Sequence, residues 1–515
     1  MTQNSLIQPG TVYLVGAGPG DPGLLTLRGK TCLEQADVVC HDNLANPLLL
    51  TYAPPEAERI YVGRRGRGAY MPQEAINQLL VDKAREGKRV VRLKGGDPLV
   101  FGRGGEEAEW LAASGVPFEI VPGVTSAIAV PAYAGIPVTH RTLASVVTIV
   151  TGHEDPHKEQ SALEWPRLAS ADGTLVFVMG MKNLPTIVQR LLDEGKAPDT
   201  PVALIRWGTY AHQRTVIGTL ADIVSHAQAE QMTPPTVIVI GQVVRLREQL
   251  NWFETRPLFG KRILVTRAQD QAEALTDLIA AYGGEAVECP MIEIRLPDDW
   301  HEIDQAIDEL SSYHWLIFTS ANGVKSFLGR MWARGFDTRH LHGIRVGCIG
   351  PRTAEEVEKY GVKADLIPQD YVAEGLIEAM RAAGVAGRRV LIARAAQARE
   401  ILPEQLKAMG AFVRVLPAYV TVAPPHMRER VRALLRERNI AAVTFTSSST
   451  VRNFCAVFPD SRELQQLLQG VVIACIGPIT AQTAREAGLP VHVVAPQHTV
   501  PDLVRALALH MRERV

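Results

Sequence analysis

The chain lacks the patterns that mark several classes of protein. Its 515 residues include six cysteines, none in a CxxC pair and all within apolar, strand-like runs, so we expect small buried thiols rather than disulfides or structural zinc. No apolar run approaches the roughly 20 residues that a membrane helix needs. The first residues, MTQNSLIQPG, have neither the basic nor the apolar segment of a signal peptide. We therefore expect a cytoplasmic protein with no membrane partner.

An excess of either charge is also lacking. The 54 lysines and arginines nearly balance the 55 aspartates and glutamates, which leaves a formal net charge of −1. One basic tract, RRGRG at residues 64–68, is like an RNA-binding sequence, but nucleic acid requires a wider positive surface. We expect no nucleic-acid partner, and these arginines suit a substrate with several carboxylates better.

One segment has the residue spacing of a metal site. HEDPH at residues 153–157 has the HExxH spacing of zinc proteases, which needs both histidines on one helical face. Pro156 would interrupt that helix, and the segment directly follows the strand-like run VVTIVTG. We predict a loop here and no metal site.

Glycine is concentrated in two turns that follow strand-like runs. In RLKGGDPLVFGRGG, residues 92–105, Gly95 and Gly96 let the backbone approach a ligand, and Asp97 follows at the strand end where open α/β sheets bind ligands. Near the start, VGAGPGD differs from a dinucleotide fingerprint because Asp21 replaces the third glycine and Pro19 removes an amide. Plain surface loops and a nicotinamide-dependent oxidoreductase remain the alternatives.

The second half contains an internal duplication. KRILVTRAQ at Lys261 matches RRVLIARAA at Arg388, IFTSANGVKSF at Ile317 matches TFTSSSTVRNF at Thr444, and CIGPRTAEEVEKYG at Cys348 matches CIGPITAQTAREAG at Cys475, always 127 residues apart. This constant spacing predicts two copies of an α/β unit. We expect a cleft between two lobes, lined by the polar turns at residues 319–322 and 446–449.

These motifs resemble two families. The glycine turns, with VPGVTSAIAVPAYAGIPVTHR (121–141), VTGHE (150–154), TLVFVMGMKNL (174–184) and IGQVVRLREQLNWFETRPLFGKRILVTR (240–267), resemble the uroporphyrinogen-III C-methyltransferases among the tetrapyrrole methylases. The duplicated blocks, with VLPAYVT (415–421), resemble uroporphyrinogen-III synthase.

The resemblances imply an α/β fold with a domain boundary beside Pro257 and Gly260. A two-lobed tetrapyrrole methylase domain is expected over residues 1–256, with lobes of about 1–138 and 139–256. A two-lobed synthase domain, built from the duplication, is expected over 257–515. Its first lobe would be discontinuous, about 257–294 plus 421–515, and its second lobe would be about 295–420.

The methylase resemblance implies S-adenosylmethionine as methyl donor and S-adenosylhomocysteine as product. The residues that it implies for this ligand are Pro19, Gly95, Gly96, Asp97, Val100, Thr125, Ser126, Met179 and Gly208. It implies Asp42 as the base, with a helix N-cap as the alternative role. Arg64 stands where the family has a lysine, and because arginine stays protonated we expect an electrostatic role rather than an acid role.

The synthase resemblance implies Tyr419 as a hydroxyl donor near the leaving group, with a buried core tyrosine as the alternative. Hydroxyls in the cleft turns are expected to bind substrate carboxylates, and arginines to supply counter-charges. The residues in question are Thr353, Ser447, Ser448 and Thr480, and Arg267, Arg394 and Arg399.

Together the resemblances predict a bifunctional enzyme that cyclises hydroxymethylbilane to uroporphyrinogen III and methylates it twice to precorrin-2, towards sirohaem or cobalamin. The alternative is a methyltransferase whose second half binds tetrapyrrole without catalysis. The methylase resemblance also implies a homodimer formed through that half.

Overall fold

The computed structural model of the chain describes residues 7–63, 71–152, 163–268, 272–422 and 424–513. It contains two compact units. The first comprises Met1–Lys261, Ile279–Glu285 and Ala508–Val515, and the second comprises Arg262–Leu278 and Ala286–Leu507. No helix among the described residues is both long enough and apolar enough to cross a membrane.

The first lobe is a parallel α/β sheet. Its elements are β1 (Val12–Gly16), α1 (Leu27–Glu34), β2 (Val38–His41), β3 (Glu58–Tyr61), α2 (Gln73–Arg85), β4 (Val90–Lys94), α3 (Gly104–Ala113), β5 (Phe118–Val121) and α4 (Ser126–Tyr133), with 3₁₀ helices at Pro22–Leu24 and Pro47–Tyr52. The strand order is β3-β2-β4-β1-β5, and neighbours are parallel. Because parallel strands end at one edge, the loops after β1 and β4 lie side by side.

The second lobe is a mixed sheet. Its elements are β6 (Val147–Thr151), α5 (Trp165–Ser170), β7 (Thr174–Val178), α6 (Leu184–Asp193), β8 (Pro201–Arg206), β9 (Arg214–Thr219), α7 (Ile223–Ala229), β10 (Thr236–Ile240) and α8 (Arg247–Leu250), with 3₁₀ helices at Met181–Asn183 and Gln242–Leu246. The order is β6-β7-β10-β8-β9, and β10 runs antiparallel to both its neighbours. Helix α4 shares a hydrophobic cluster with this sheet through Ala127 and Val130, although it precedes the predicted lobe limit near residue 138.

The second half of the chain contains two more five-stranded sheets. Its elements are β11 (Arg262–Val265), α9 (Glu273–Ala281), β12 (Glu285–Glu288), β13 (Glu293–Arg295), α10 (His301–Asp308), β14 (Trp315–Phe318), α11 (Ala321–Ala333), β15 (Arg345–Cys348), α12 (Pro351–Glu358), α13 (Ala373–Ala383), β16 (Arg389–Ala395), α14 (Ile401–Ala408), β17 (Phe412–Val422), α15 (Pro425–Arg436), β18 (Ala442–Phe445), α16 (Ser448–Cys455), α17 (Ser461–Leu467), β19 (Val472–Cys475), α18 (Pro478–Glu486), β20 (Val491–Val494) and α19 (Val500–Arg512).

The duplicated copies are exchanged between these sheets. One sheet has the order β12-β11-β18-β19-β20 and the other β13-β17-β16-β14-β15. The equivalent strands begin at Arg262 and Arg389, Glu285 and Phe412, Trp315 and Ala442, and Arg345 and Val472, so each pair lies 127 residues apart. Each sheet therefore joins the first two strands of one copy to the last two strands of the other, which explains why one lobe is discontinuous in sequence.

The core packing repeats as well. Phe318 and Phe327 form an edge-to-face pair with ring centroids 6.1 Å apart, and the equivalent Phe445 and Phe454 form another at 5.2 Å.

The crossing between lobes runs through β13, which pairs antiparallel with the end of β17 in the register Glu293–Val422. The predicted lobe limits, after residues 294 and 420, fall inside these two strands.

Candidate functional site

The turns after β1 and β4 bond to each other. Gly96 N donates to Gly18 O at 2.7 Å, and Gly18 N donates to Gly96 O at 3.2 Å. Both residues have a positive φ, 74° for Gly18 and 68° for Gly96, which glycine adopts without steric cost. A Cβ on Gly16 would come within 2.5 Å of the Gly123 backbone. The glycines therefore allow three loops to pack backbone against backbone beside a cavity.

This cavity has a volume of about 530 Å³, within the range of small-molecule sites. Six of the nine residues that the sequence implied for the methyl donor line it: Pro19, Gly95, Gly96, Ser126, Met179 and Gly208. They come from both lobes of the methylase half. The lining is mainly apolar, with bare glycine backbone at one end.

The other three candidates, all within the described residues, lie outside the cavity lining. The Asp97 carboxylate accepts hydrogen bonds from Gly123 N at 3.0 Å and from Leu99 N at 2.8 Å. Thr125 is the N-cap of α4, and its Oγ1 accepts from Ala127 N at 3.4 Å. Val100 is partly exposed. Asp97 and Thr125 thus hold the loops whose adjoining residues, Gly96 and Ser126, line the cavity.

The cavity is also lined by residues that the sequence did not predict, among them Leu44, Lys182, Trp207 and Tyr210. The turn around Gly208 is strained, because Trp207 has a φ of 48° and Thr209 a φ of 71°. Met179, at the opposite turn, has a φ of 57°. Positive φ is costly for such residues and is concentrated at functional sites. A Cβ on Gly208 would lie 2.3 Å from Val130 Cγ1, so packing leaves this position no room for a side chain.

Asp21 links the two lobes of the methylase half. Its backbone N donates to Thr209 Oγ1 at 2.9 Å, and its Oδ2 accepts from the Tyr133 hydroxyl at 2.7 Å. Burial, together with this carboxylate, raises the pKa of Tyr133. The residue that departs from the dinucleotide fingerprint therefore has a structural role between the lobes.

Asp42 follows β2 and belongs to the loop that reaches the cavity at Leu44. Its Oδ1 accepts from Leu44 N at 2.9 Å, and its Oδ2 lies 3.6 Å from Arg92 Nη2. The side chain is 26% exposed. The helix cap proposed as its alternative role belongs to Asn46, which accepts from Leu48 N.

A buried charge cluster lies next to Asp42. Glu107, whose side chain is fully buried, uses Oε1 to accept from Arg92 Nε at 3.2 Å, from Lys94 Nζ at 2.9 Å and from Gln73 Nε2 at 3.0 Å. Burial and the neighbouring Arg92 guanidinium lower the pKa of Lys94. Two cations therefore share one buried carboxylate.

Three sequence features lie outside the described residues: Arg64, the RRGRG tract at 64–68 and the HEDPH segment at 153–157. Within the described part of the chain, no group of three or more His, Cys, Asp or Glu side chains is arranged to hold a metal ion.

Tyr419 lies on β17 within the hydrophobic cluster of the β13–β17 sheet and is 8% exposed. Its carbonyl accepts from Ala396 N at 2.9 Å, which ties the end of β17 to the loop after β16. A hydroxyl donor and a purely structural core tyrosine would both have a packed ring. They differ in whether the hydroxyl takes part in the reaction.

Hydroxyl side chains occupy equivalent helix starts in the two copies. Ser320 caps α11 and Ser447 caps α16, accepting from Gly323 N at 3.1 Å and from Thr450 N at 3.3 Å respectively. Helices α12 and α18, which begin with Gly-Pro, carry Thr353 and Thr480, and both of these threonines are buried. Ser448 Oγ lies 2.8 Å from Thr483 Oγ1 of α18. Amides and hydroxyls at helix N-termini favour anions such as carboxylates.

The three candidate arginines differ in their surroundings. Arg267 and Arg394 are equivalent in the duplication, and both are buried. Arg394 Nη1 donates to the Arg399 carbonyl at 2.7 Å, and its Nη2 pairs with Glu400. The Arg399 side chain is exposed, with Nη1 3.2 Å from Glu374 Oε1. Water screens such an exposed pair, so Arg399 is held weakly.

Comparisons with known proteins match each half separately. The family described as Tetrapyrrole (Corrin/Porphyrin) Methylases matches residues 11–224, and the family Uroporphyrinogen-III synthase HemD matches residues 273–505. The porphyrin biosynthesis protein HemD of Ruminiclostridium josui is 36% identical over 506 residues, 97% of this chain and 98% of that protein.

A second relative covers the first half alone. The S-adenosyl-L-methionine-dependent uroporphyrinogen III methyltransferase of Methanosarcina barkeri is 55% identical over 241 residues, 47% of this chain and 94% of that protein. Among solved structures, the uroporphyrin-III C-methyl transferase of Thermus thermophilus complexed with S-adenyl homocysteine is 39% identical, with 46% of this chain and 99% of that chain covered and a TM-score of 0.40. The chain belongs to the tetrapyrrole methylase family in its first half and to the uroporphyrinogen-III synthase family in its second.

Proposed function

We propose that the chain converts hydroxymethylbilane to uroporphyrinogen III in its second half and methylates this product twice to precorrin-2 in its first half. Membership of both families makes the chain a bifunctional enzyme of tetrapyrrole biosynthesis. The finer assignment of substrate, product and residues is our proposal.

One observation carries the methyl-transfer assignment. Turns that are distant in sequence, at Gly95–Gly96 and at Met179, line the same cavity of about 530 Å³. Bare backbone on one side and a polarisable thioether on another suit a nucleoside that carries an amino-acid tail, since Met179 can pack on the adenine. The relative from Methanosarcina barkeri, whose name specifies S-adenosyl-L-methionine, supports this ligand.

The first half then needs to orient two reactants and accept a proton. S-adenosylmethionine supplies a methyl group on a sulfonium, so a pyrrole carbon gains the methyl as the carbon–sulfur bond breaks and its electron pair stays on sulfur. The residues around the cavity hold the methyl group and the pyrrole carbon in line. Asp42 accepts the proton that the macrocycle releases and passes it to water through its exposed face.

The second half must favour loss of hydroxide from the hydroxymethyl group, which leaves an azafulvene-like cation. In our proposal the Tyr419 hydroxyl donates to the leaving oxygen. The hydroxyls and amides at the starts of α11, α12, α16 and α18 bind substrate carboxylates, with Arg267, Arg394 and Arg399 as counter-charges. A sheltered hydrogen bond to a carboxylate contributes about 1.5–3 kcal/mol.

One experiment tests both halves. The purified chain receives hydroxymethylbilane with S-adenosylmethionine under anaerobic conditions, and the product is identified by mass and isomer. We expect precorrin-2, and uroporphyrinogen III when S-adenosylmethionine is left out. Hydroxymethylbilane left alone cyclises without inversion, so type I product at the uncatalysed rate would show that the second half does not catalyse ring closure. Titration with NAD against S-adenosylmethionine tests the oxidoreductase alternative.

We further propose a homodimer formed through the methylase half, on the family resemblance. Sedimentation velocity of the full chain tests it. A species of about twice the 56.3 kDa chain mass is expected, and a monomer at all concentrations would contradict the proposal.

A further inference from the structure

Arg92 stands between the fully buried Glu107 and the partly exposed Asp42. Its Nε donates to Glu107 Oε1 at 3.2 Å, its Nη1 donates to the Leu93 carbonyl at 3.1 Å, and its Nη2 lies 3.6 Å from Asp42 Oδ2. The Arg92 side chain is 5% exposed, and hydrogen bonds to Glu107 and to the Leu93 carbonyl fix its guanidinium. A planar guanidinium held in this way keeps its charge at one place beside the Asp42 carboxylate.

We propose that Arg92 is a positioning residue for methyl transfer, which holds the Asp42 carboxylate in place so that it can accept the proton from the macrocycle. This inference rests on the proposed role of Asp42 as the base. The arginine does not touch the cavity lining. It acts through Asp42, whose Oδ1 is already tied to Leu44 N in the lining loop.

The charges around Asp42 come from three elements. His41 precedes it on β2, Arg92 and Lys94 face it from β4, and Glu107 on α3 lies behind both cations. Burial lowers the pKa of His41, which favours the uncharged ring at neutral pH. Arg92 is thus the permanent positive charge that forms a direct ion pair with Asp42.

Glu107 serves this arrangement by holding the cations. Lys94 Nζ bonds to the same Oε1 as Arg92, and Oε2 has no hydrogen-bond partner among the described residues. Arg92 bonds to Glu107 through Nε, so the Nη2 end of its guanidinium is left to face Asp42. The whole set, Asp42, Arg92, Lys94 and Glu107, carries equal numbers of formal positive and negative charges.

The test compares kcat and KM for methylation in Arg92→Gln, Arg92→Lys and the parental full chain, with uroporphyrinogen III and S-adenosylmethionine supplied. A base that is no longer held in place slows the chemical step and leaves substrate binding intact. We expect Arg92→Gln to lower kcat at least about tenfold, with both KM values within about twofold of the parental values. Arg92→Lys, which keeps the charge, should recover part of the lost kcat.

Glu107→Gln separates this role from a general effect on folding. It removes a buried anion from the same cluster, so it should lower the melting temperature while kcat falls less than it does in Arg92→Gln. Affinity for S-adenosylhomocysteine, measured by calorimetry, reports whether the cavity is intact in each variant. If Arg92→Gln does not fold, the comparison of Arg92→Lys with Glu107→Gln still decides, because the positioning role predicts the larger loss of kcat in Arg92→Lys, whereas a structural role predicts that kcat follows the melting temperature in both.

A parental kcat in Arg92→Gln, a kcat in Arg92→Lys no higher than that of Arg92→Gln, or a parallel loss of S-adenosylhomocysteine affinity overturns the inference. Asp42→Asn is assayed beside them. If Asp42→Asn methylates at the parental rate, the base assignment fails and the inference fails with it. If Asp42→Asn is inactive and Arg92→Gln leaves kcat unchanged, the base assignment stands and the positioning role of Arg92 is wrong.

Discussion

At the residue scale, two glycines of one sequence run have opposite surroundings. A Cβ on Gly95 would lie 2.7 Å from Leu44 Cβ, whereas a Cβ on Gly105 would meet no atom within 4 Å. We expect Gly95→Ala to push Leu44 into the cavity and weaken S-adenosylhomocysteine binding by about tenfold, or ~1.4 kcal/mol. Calorimetric titration measures the change.

Gly105→Ala is the matched control for that substitution. It should leave the affinity unchanged and keep or raise the free energy of unfolding by up to about 1 kcal/mol, because alanine has less freedom to lose in α3. Equal effects of the two substitutions on binding would contradict the role given to the Gly95 turn.

Tyr419 allows a second prediction at this scale. Tyr419→Phe removes the hydroxyl and keeps the packed ring, so the fold should survive while ring closure with inversion slows strongly. The readout is the ratio of type I to type III uroporphyrinogen from hydroxymethylbilane, which should shift towards type I. Type III formation at the parental rate would leave Tyr419 as a core residue.

At the scale of the elements, the duplication places two thiols in equivalent strands. Cys348 on β15 and Cys475 on β19 are free and buried, and burial raises the pKa of each from 9.0 to about 12. Between these two pKa values the thiol is ionised in the unfolded chain and protonated in the folded chain. The free energy of unfolding therefore falls as the pH rises above about 9. The slope is about 1.4 kcal/mol per pH unit for each thiol.

Urea unfolding at several pH values from 8 to 10.5 checks this. Cys348→Ala and Cys475→Ala each leave a cavity that lowers stability at all pH values, but each should also make the alkaline slope shallower by the same amount. A slope that neither substitution alters would show that other groups govern alkaline stability.

At the scale of the whole molecule, the two activities should separate. Every residue that lines the methylase cavity lies between Gly18 and Val237, and both sheets of the synthase half lie after Lys261. We expect fragments 1–256 and 257–515, mixed together, to convert hydroxymethylbilane to precorrin-2 with little loss at saturating substrate. A fragment that is folded but inactive alone would contradict two autonomous active sites.

Much of this architecture could be predicted from the sequence. The glycine turns could be placed after strands because a buried strand and a turn are both local patterns, and six implied residues do line one cavity. The duplication was visible because its spacing of 127 residues is preserved in every strand pair. The buried, free cysteines followed from their apolar neighbours, and five of the six are buried.

Other features exist only in the folded chain. The exchange of strands between the two sheets was implied by the family resemblance, but the repeat spacing cannot specify it, because it depends on which distant strand covers an exposed edge. Trp207 and Thr209 have a positive φ on either side of Gly208, where Val130 leaves no room for a side chain, and no local sequence pattern predicts this. Arg92 lies on β4, Asp42 follows the neighbouring strand β2, and Glu107 lies on α3, so their cluster arises from sheet order. Local pattern determined the elements and the turns, and long-range packing decided which charged and strained residues meet at the site.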